Sequence, residues 1–471
     1  MAPLPLLLFP ILFFVLLAAS APSSFSKLNS TVTLHLRPLA AHVPPISDQL
    51  ASLAASSLAR VHHLKRPAKV NSSTTATSLA VKLPLSPHSY GGYTVELSIG
   101  TPPQTLTFIM DTGSSLVWSP CTSRYKCSRC TFPKVDPAKI PAFIPRVSSS
   151  SKLIGCRNPK CGWIFGPDVS SQCQGCGPGS KNCSQAQACP VYIIQYGSGS
   201  TGGLLLSETL TLPGQKVPNF LVGCSVFSSA QPAGIAGFGR GRESLPVQLG
   251  ASKFSYCLLS RKFDDTTASS NLVLETGSEP KSRGVSYTPF RKNPGLGGSA
   301  AFSEYYYVGL RKIIVGGKSV KIPYRYLVPG SDGAGGTIVD SGTTFTFMER
   351  PVFEAVAKEF GRQMRNYSRA KVAETQSGLG LCYDMSGKSS IGVPELVFHF
   401  KGGAKMALPL ENYFVLVKSR VMCLAIITDN VVGPEVSGGP AIVLGSFQQQ
   451  NHHVEYDLAN DRFGFRRQSC K

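Results

Sequence analysis

Cysteine is missing from the first 120 residues of this 471-residue chain, and all 14 cysteines follow. Acidic residues are scarce: 26 Asp and Glu stand against 47 Lys and Arg, a formal net charge of +21. Beyond residue 21 no apolar run is long enough to cross a bilayer, so no integral membrane association is expected. The sequence has no G-x-S-x-G and no H-E-x-x-H, so serine-hydrolase and zincin chemistries lack their motifs. Its eight histidines show no metal spacing, and neither a metal nor a cofactor is expected. No nucleic-acid recognition motif accompanies the basic charge, which argues against that partner.

What is present begins with an apolar stretch, Pro3 to Ala18, followed by the small residues Ala18-Ala19-Ser20-Ala21. It reads as a secretory signal over residues 1–21. The alternative, an uncleaved anchor, is opposed by its short length and by Pro10. The polar C-terminus carries no lipid-anchor signal. Secretion places the chain in the extracellular space or cell wall, with the vacuole as the other destination. An even cysteine count in such a chain argues for disulfides. Cys127/Cys130 and Cys173/Cys176 also have zinc-ligand spacing, but an oxidising compartment favours disulfides. Cys382 and Cys423, the only cysteines between Cys257 and Cys470, are expected to pair. Asn29, Asn71, Asn182 and Asn366 each open an N-x-S/T glycosylation site.

Length and composition allow more than one core. Apolar residues make up 42% and charged residues 15%, and 46 Gly with 35 Pro favour turn-rich β architecture. Residues 22–88 lack cysteine and contain Gln49 to Lys65, whose leucines and Val61 recur at roughly helical spacing before a basic end. We read 22–88 as a propeptide; a linker is the alternative. This stretch holds seven basic residues and one acidic, a surplus of six that leaves +15 on the rest. That surplus suits an acidic cell-wall polysaccharide or a basic protein without a fixed partner.

Two short stretches organise everything else. Phe108 to Ser115 reads F-I-M-D-T-G-S-S, and Gly336 to Thr344 reads G-T-I-V-D-S-G-T-T. In each, apolar residues deliver an aspartate to a turn of hydroxyl and glycine. Each aspartate is followed much later by an apolar pair and glycine, Ile235-Ala236-Gly237 and Val443-Leu444-Gly445. A repeat of this kind describes two related lobes. We place them at residues 89–280, with a cysteine-rich insertion at about 121–189, and at 281–471. Gly92 to Gly100 and Tyr305 to Val315 read as strands, Val191 onward as a hairpin with a Gly-rich tip, and Pro351 to Met364 as a helix.

With D-T-G-S-S-L-V-W, V-D-S-G-T-T and A-I-V-L-G-S-F-Q-Q-Q-N, the chain from about Tyr93 to Cys470 resembles the pepsin-like aspartic endopeptidases, most closely the plant nepenthesin type. The resemblance implies an all-β fold with a few short helices, two lobes and a cleft between them. It implies a monomer acting on proteins or peptides, made as a zymogen, with Asp111 and Asp340 meeting at the seam. It also implies that a lysine or arginine of the propeptide faces the carboxylates until acid weakens the contact. Ser114 and Thr343 match hydroxyls that donate to the carboxylates, Thr112 and Ser341 match the residues that lock the loops together, and Gly113 and Gly342 permit the turns. Tyr196 and Gly197 match the flap over the substrate, and Trp118 matches the tyrosine's partner; an ordinary buried aromatic pair is the alternative. A catalytically silent relative acting as an inhibitor or binding protein is the rival function, but such relatives usually lose a carboxylate or its hydroxyls.

The chemistry of a paired carboxyl follows from electrostatics. At ~3 Å separation and an effective dielectric near 20, two ionised groups repel by roughly 5 kcal/mol, about 4 pK units. One proton therefore stays on the pair, supplying a base to activate water and an acid for the leaving amine.

Overall fold

The computed structural model describes residues 46–65, most of 92–470, and the backbone of strands Thr31–His35 and Ala80–Pro87. Residues 1–30, 36–45, 66–79, 88–91, 131–138, 170–172, 174–186, 197–198, 261–268, 277–280, 295–301 and 430–437, with 232, 389 and 471, are not described. The signal segment, Asn29, Asn71, Asn182 and Gly197 therefore lie outside the described residues.

The chain is mostly β, and one fifteen-stranded sheet ties its two halves together. Lys253–Cys257, from the first half, pairs antiparallel with His452–Asp457 from the second. That strand pairs in turn with Arg462–Arg467. On the other side the sheet runs through Ser270–Glu275 and Ala80–Pro87 to Tyr93–Ile99 and Gln104–Asp111. Alternation explains the last two strands. Val95, Leu97 and Ile99 turn inward with Leu106, Phe108 and Met110, while Glu96 faces out. Each such buried side chain contributes roughly 1.5–3 kcal/mol relative to exposure. A separate five-stranded sheet holds Thr337–Val339, which leads into Asp340, beside Ile442–Leu444.

Two stretches differ in detail from the reading of the sequence. Tyr305 to Val315 is divided at Gly309: Tyr306–Val308 pairs with Thr337–Val339, and Leu310–Val315 pairs with Leu396–Phe400. Lys401 crosses at the break, where a Cβ on residue 309 would lie 2.9 Å from the lysine's own. The cysteine-rich segment, which looks too polar for a core, builds a small one from its bridges. Cys156–Cys173 and Cys161–Cys189 pack with Ile154, Trp118, Tyr192 and Tyr196. Cys173 thus pairs with Cys156 and not with its C-x-x-C neighbour, whereas Cys127 pairs with Cys130. Among the described residues the remaining bridges are Cys121–Cys224, Cys257–Cys470 and Cys382–Cys423. Among the described residues no group of His, Cys, Asp and Glu could hold a metal ion, and no helix is long and apolar enough to cross a membrane.

The helical spacings hold. Arg350–Gln363 is a helix with Pro351 in its first turn and Val352, Val356 and Phe360 buried. Ile46–Leu64 is a 19-residue helix whose Leu50, Leu53, Val61 and Leu64 are buried in one cluster with Phe345, Phe347, Ala373 and Val417. It lies across the second half of the chain, against the helix Lys371–Ser377 and the strands Phe414–Lys418 and Thr346–Met348.

Candidate active site

Asp111 closes the strand Gln104–Asp111, and the parallel strand Gly234–Gly237 sets Gly237 opposite it. In the second half Val339, just before Asp340, lies opposite Leu444 of Ile442–Leu444. The two apolar-glycine stretches seen in the sequence are therefore the strands that flank the aspartates. Backbone bonds fix both: Phe238 N–H donates to Asp111 O at 2.7 Å, and Asp340 N–H donates to Leu444 O at 3.1 Å.

The two turns then lock to each other with near two-fold symmetry. Ser341 N–H donates to Thr112 Oγ1 at 2.8 Å, and Thr112 N–H donates to Ser341 Oγ at 3.1 Å. The hydroxyls donate onward, Ser341 to Met110 O at 2.9 Å and Thr112 to Val339 O at 3.4 Å. Within each turn the carboxylate receives its own donors. Gly113 N–H reaches Asp111 Oδ1 at 2.9 Å and Ser114 Oγ reaches Oδ2 at 2.5 Å. Gly342 N–H reaches Asp340 Oδ1 at 2.9 Å and Thr343 Oγ1 reaches Oδ2 at 2.5 Å. Glycine is required at the turns because the opposite carboxylate is so near. A Cβ on Gly113 would lie 2.7 Å from Asp340 Oδ1, and one on Gly342 would lie 2.5 Å from Asp111 Oδ1.

Arg60, from the helix Ile46–Leu64, bridges the pair. Its Nη2 donates to Asp111 Oδ1 at 2.5 Å and its Nε to Asp340 Oδ2 at 2.9 Å. One guanidinium reaching both carboxylates shows that they share a single site. All three side chains are buried. Burial pushes the Asp111 carboxyl above the usual range, opposed by Arg60 and reinforced by the charge of Asp340. Burial also acts on Asp340, but Arg60, Thr343 and Gly342 together hold it below that range. The two carboxyls are thus pushed in opposite directions, Asp111 up and Asp340 down. Burial acts to lower the pKa of Arg60, yet the two aspartates outweigh it and raise it, so the guanidinium stays charged.

Tyr196 and Trp118 meet beside this pair, the indole Nε1–H donating to the phenol oxygen at 2.8 Å. Tyr196 follows the strand Tyr192–Gln195, which pairs antiparallel with Ser200–Leu212. His63, one turn after Arg60, lies against it with ring centres 6.4 Å apart. Burial, and then the charge of Arg60, push the His63 pKa down to about 4. Asn366 is exposed near the end of the helix Arg350–Gln363.

The sequence did not single out Arg60 or His63, nor a second carboxyl pair behind the first turn. Glu243 is buried, and burial followed by the charge of Glu304 push its carboxyl well above the usual range. Burial and the charge of Asp111 raise Glu304, against hydrogen bonds from Ser115. Glu304 is followed by Tyr305-Tyr306-Tyr307, whereas Glu243 sits between Arg242 and Ser244 with no local signal of burial.

A two-lobed β chain with an aspartate turn from each half locked at the seam has the architecture of the pepsin-like acid proteases. Residues 93–274 match the family model described as xylanase inhibitor N-terminal, and residues 305–467 match xylanase inhibitor C-terminal. The chain is 34% identical to aspartic proteinase nepenthesin-1 of Nepenthes gracilis, over 81% of this chain and 78% of that one. It is 33% identical to aspartyl protease family protein 2 of Arabidopsis thaliana, over 89% and 78%. The chain belongs to the plant pepsin-like aspartic protease family. Its fold is also that of the crystal structure of edgp (TM-score 0.62, 22% identity, 84% of this chain and 96% of that one). Soybean basic 7S globulin gives a TM-score of 0.60 at 19% identity, covering 83% and 98%.

Proposed function

We propose that this protein is a secreted aspartic endopeptidase, made as an acid-activated zymogen, that hydrolyses peptide bonds with water held between Asp111 and Asp340. The observation that carries the proposal is the intact symmetric set: two carboxylates, each with a turn amide and a hydroxyl donor, close enough to share one guanidinium. When Arg60 withdraws, water takes its place; the ionised carboxylate accepts the water's proton as the oxygen attacks the peptide carbon. The protonated partner donates to the developing oxyanion, and the departing nitrogen then takes a proton from the pair. Tyr196 and Trp118 close over the substrate and exclude solvent. Residues 22–88 act as the propeptide, with the helix Ile46–Leu64 blocking the cleft. We place the mature monomer in the cell wall, or else the vacuole, glycosylated at Asn182 and Asn366, with Asn29 and Asn71 as sites on the propeptide.

A second reading, a silent family member that binds another protein, is favoured by the xylanase-inhibitor name of the matching family models. The complete dyad favours peptidase activity. Incubating the purified full chain with a peptide library at acidic pH decides between them. The peptidase reading predicts cleavage blocked by a statine-type transition-state mimic; the silent reading predicts none.

A further inference from the structure

The N-terminal helix brings a second cation to the molecule besides Arg60. Lys65, the residue after the helix, is 5% exposed. Its ammonium pairs with Glu349 Oε1 and lies 5.3 Å from the centre of the Phe347 ring. Gly439 makes room for the lysine, since a Cβ there would come 2.5 Å from the lysine Cα and 3.0 Å from its Cβ and Cγ.

The walls of this seat are held by the fold and not by the lysine. Phe347 belongs to the strand Thr346–Met348, opposite Val443. Glu349 N–H donates to Ala441 O at 2.9 Å, and the Glu349 carbonyl accepts from Val352 and Phe353 in the first turn of the following helix. Gly439 O accepts from Gly335 N–H. A carboxylate beside an aromatic face favours a cation through both charge pairing and the ring quadrupole. The Glu349 side chain keeps 23% exposure with the lysine in place, so the seat borders solvent and would open when the helix leaves.

Its distance from the dyad is bounded by the helix. Lys65 follows Arg60 by five residues, ~7.5 Å along the axis and about 140° around it, so the two side chains diverge and the seat lies at least that far away. An extended peptide advances ~3.3 Å per residue and covers the axial part in two or three residues. We propose that Phe347, Glu349 and Gly439 form a cleft subsite for a lysine or arginine side chain at least two or three residues from the bond that is cut. This proposal rests on the peptidase reading and names a substrate class for it.

The test uses the full chain after incubation at acidic pH, with removal of the segment that carries the helix checked by gel. Statine-centred hexapeptides carry lysine or norleucine at each position in turn, and affinity is measured by calorimetry at acidic pH. The expected result is about a tenfold preference for lysine over norleucine at one position, at least two or three residues from the statine. Adding Glu349→Gln should reduce that ratio to within about twofold while the norleucine peptides still bind. Equal affinity for lysine and norleucine at every position, or a preference untouched by Glu349→Gln, overturns the subsite and leaves the peptidase reading standing. If no peptide binds, norleucine included, the peptidase reading fails and the subsite fails with it.

Discussion

Thr112 and Ser341 join the halves through four hydrogen bonds at residues with no exposure. Thr112→Ala removes one acceptor and one donor and leaves the Ser341 amide unsatisfied. It should cost about 1–3 kcal/mol, read as a lower denaturant midpoint with an unchanged slope. Arg60 acts in the opposite sense on function. Under the zymogen reading, Arg60→Met removes the charged contact that holds the helix on the dyad, and the full chain at acidic pH should begin to cut peptides after a shorter lag than the parent. A lag as long as the parent's would contradict that role. The aspartate turns were legible in the sequence because Asp, hydroxyl and glycine are neighbours and the pattern occurs twice. Arg60 was not legible, because its partners stand 51 and 280 residues away and are chosen only when the helix docks. Among the basic residues of that segment, nothing local distinguishes it.

At the scale of elements, the helix Ile46–Leu64 could be read from its leucine spacing, whereas its seat could not. That seat draws on Phe345, Phe347, Ala373 and Val417 from separate strands and a helix. The break at Gly309 was hidden because Tyr, Val and Ile favour strand on both sides of it; crossing by Lys401 decides the matter. The docked helix also carries a pH dependence in His63, which faces Tyr196 from the flap and Arg60 from its own helix. Its docked pKa, about 4, lies below the ordinary value of 6.5. The undocked histidine binds a proton more readily, so docking is at full strength above pH 6.5. It weakens progressively as pH falls toward about 4. Asp340 works lower still: its docked pKa is depressed, so its share of the docking energy is present above the ordinary carboxylate value. That share is lost only as pH falls through the depressed value. Under the zymogen reading, His63→Phe keeps a ring against Tyr196 without a charge and should move the midpoint of conversion about one pH unit lower. Conversion followed by gel across pH 3 to 7 checks this, and an unmoved midpoint would remove His63 from the switch.

The whole molecule is one body because strands of both halves share a sheet and because Cys257 and Cys470, 213 residues apart, are joined at its edge. Breaking that bridge with Cys257→Ser and Cys470→Ser frees the last strands from the first half's sheet. It should cost about 2–5 kcal/mol in thermal or denaturant unfolding. The repeated motifs made the two-lobed plan visible in the sequence, since each half carries its own aspartate turn and apolar-glycine strand. The pairing of the cysteine-rich segment was not visible, because several cysteines lie within reach of one another along the chain and only the packing under Trp118 and Tyr196 selects partners. The central claim belongs to this scale too: each half contributes one carboxylate to a single site that neither half completes alone. The most direct measurement is kcat/KM for one good peptide substrate at acidic pH, in the Arg60→Met background, with and without Asp111→Asn or Asp340→Asn. Loss of at least about a thousandfold from either substitution, with the unfolding midpoint nearly unchanged, is the predicted result. Activity within a few fold of the parent for either variant would contradict the shared site.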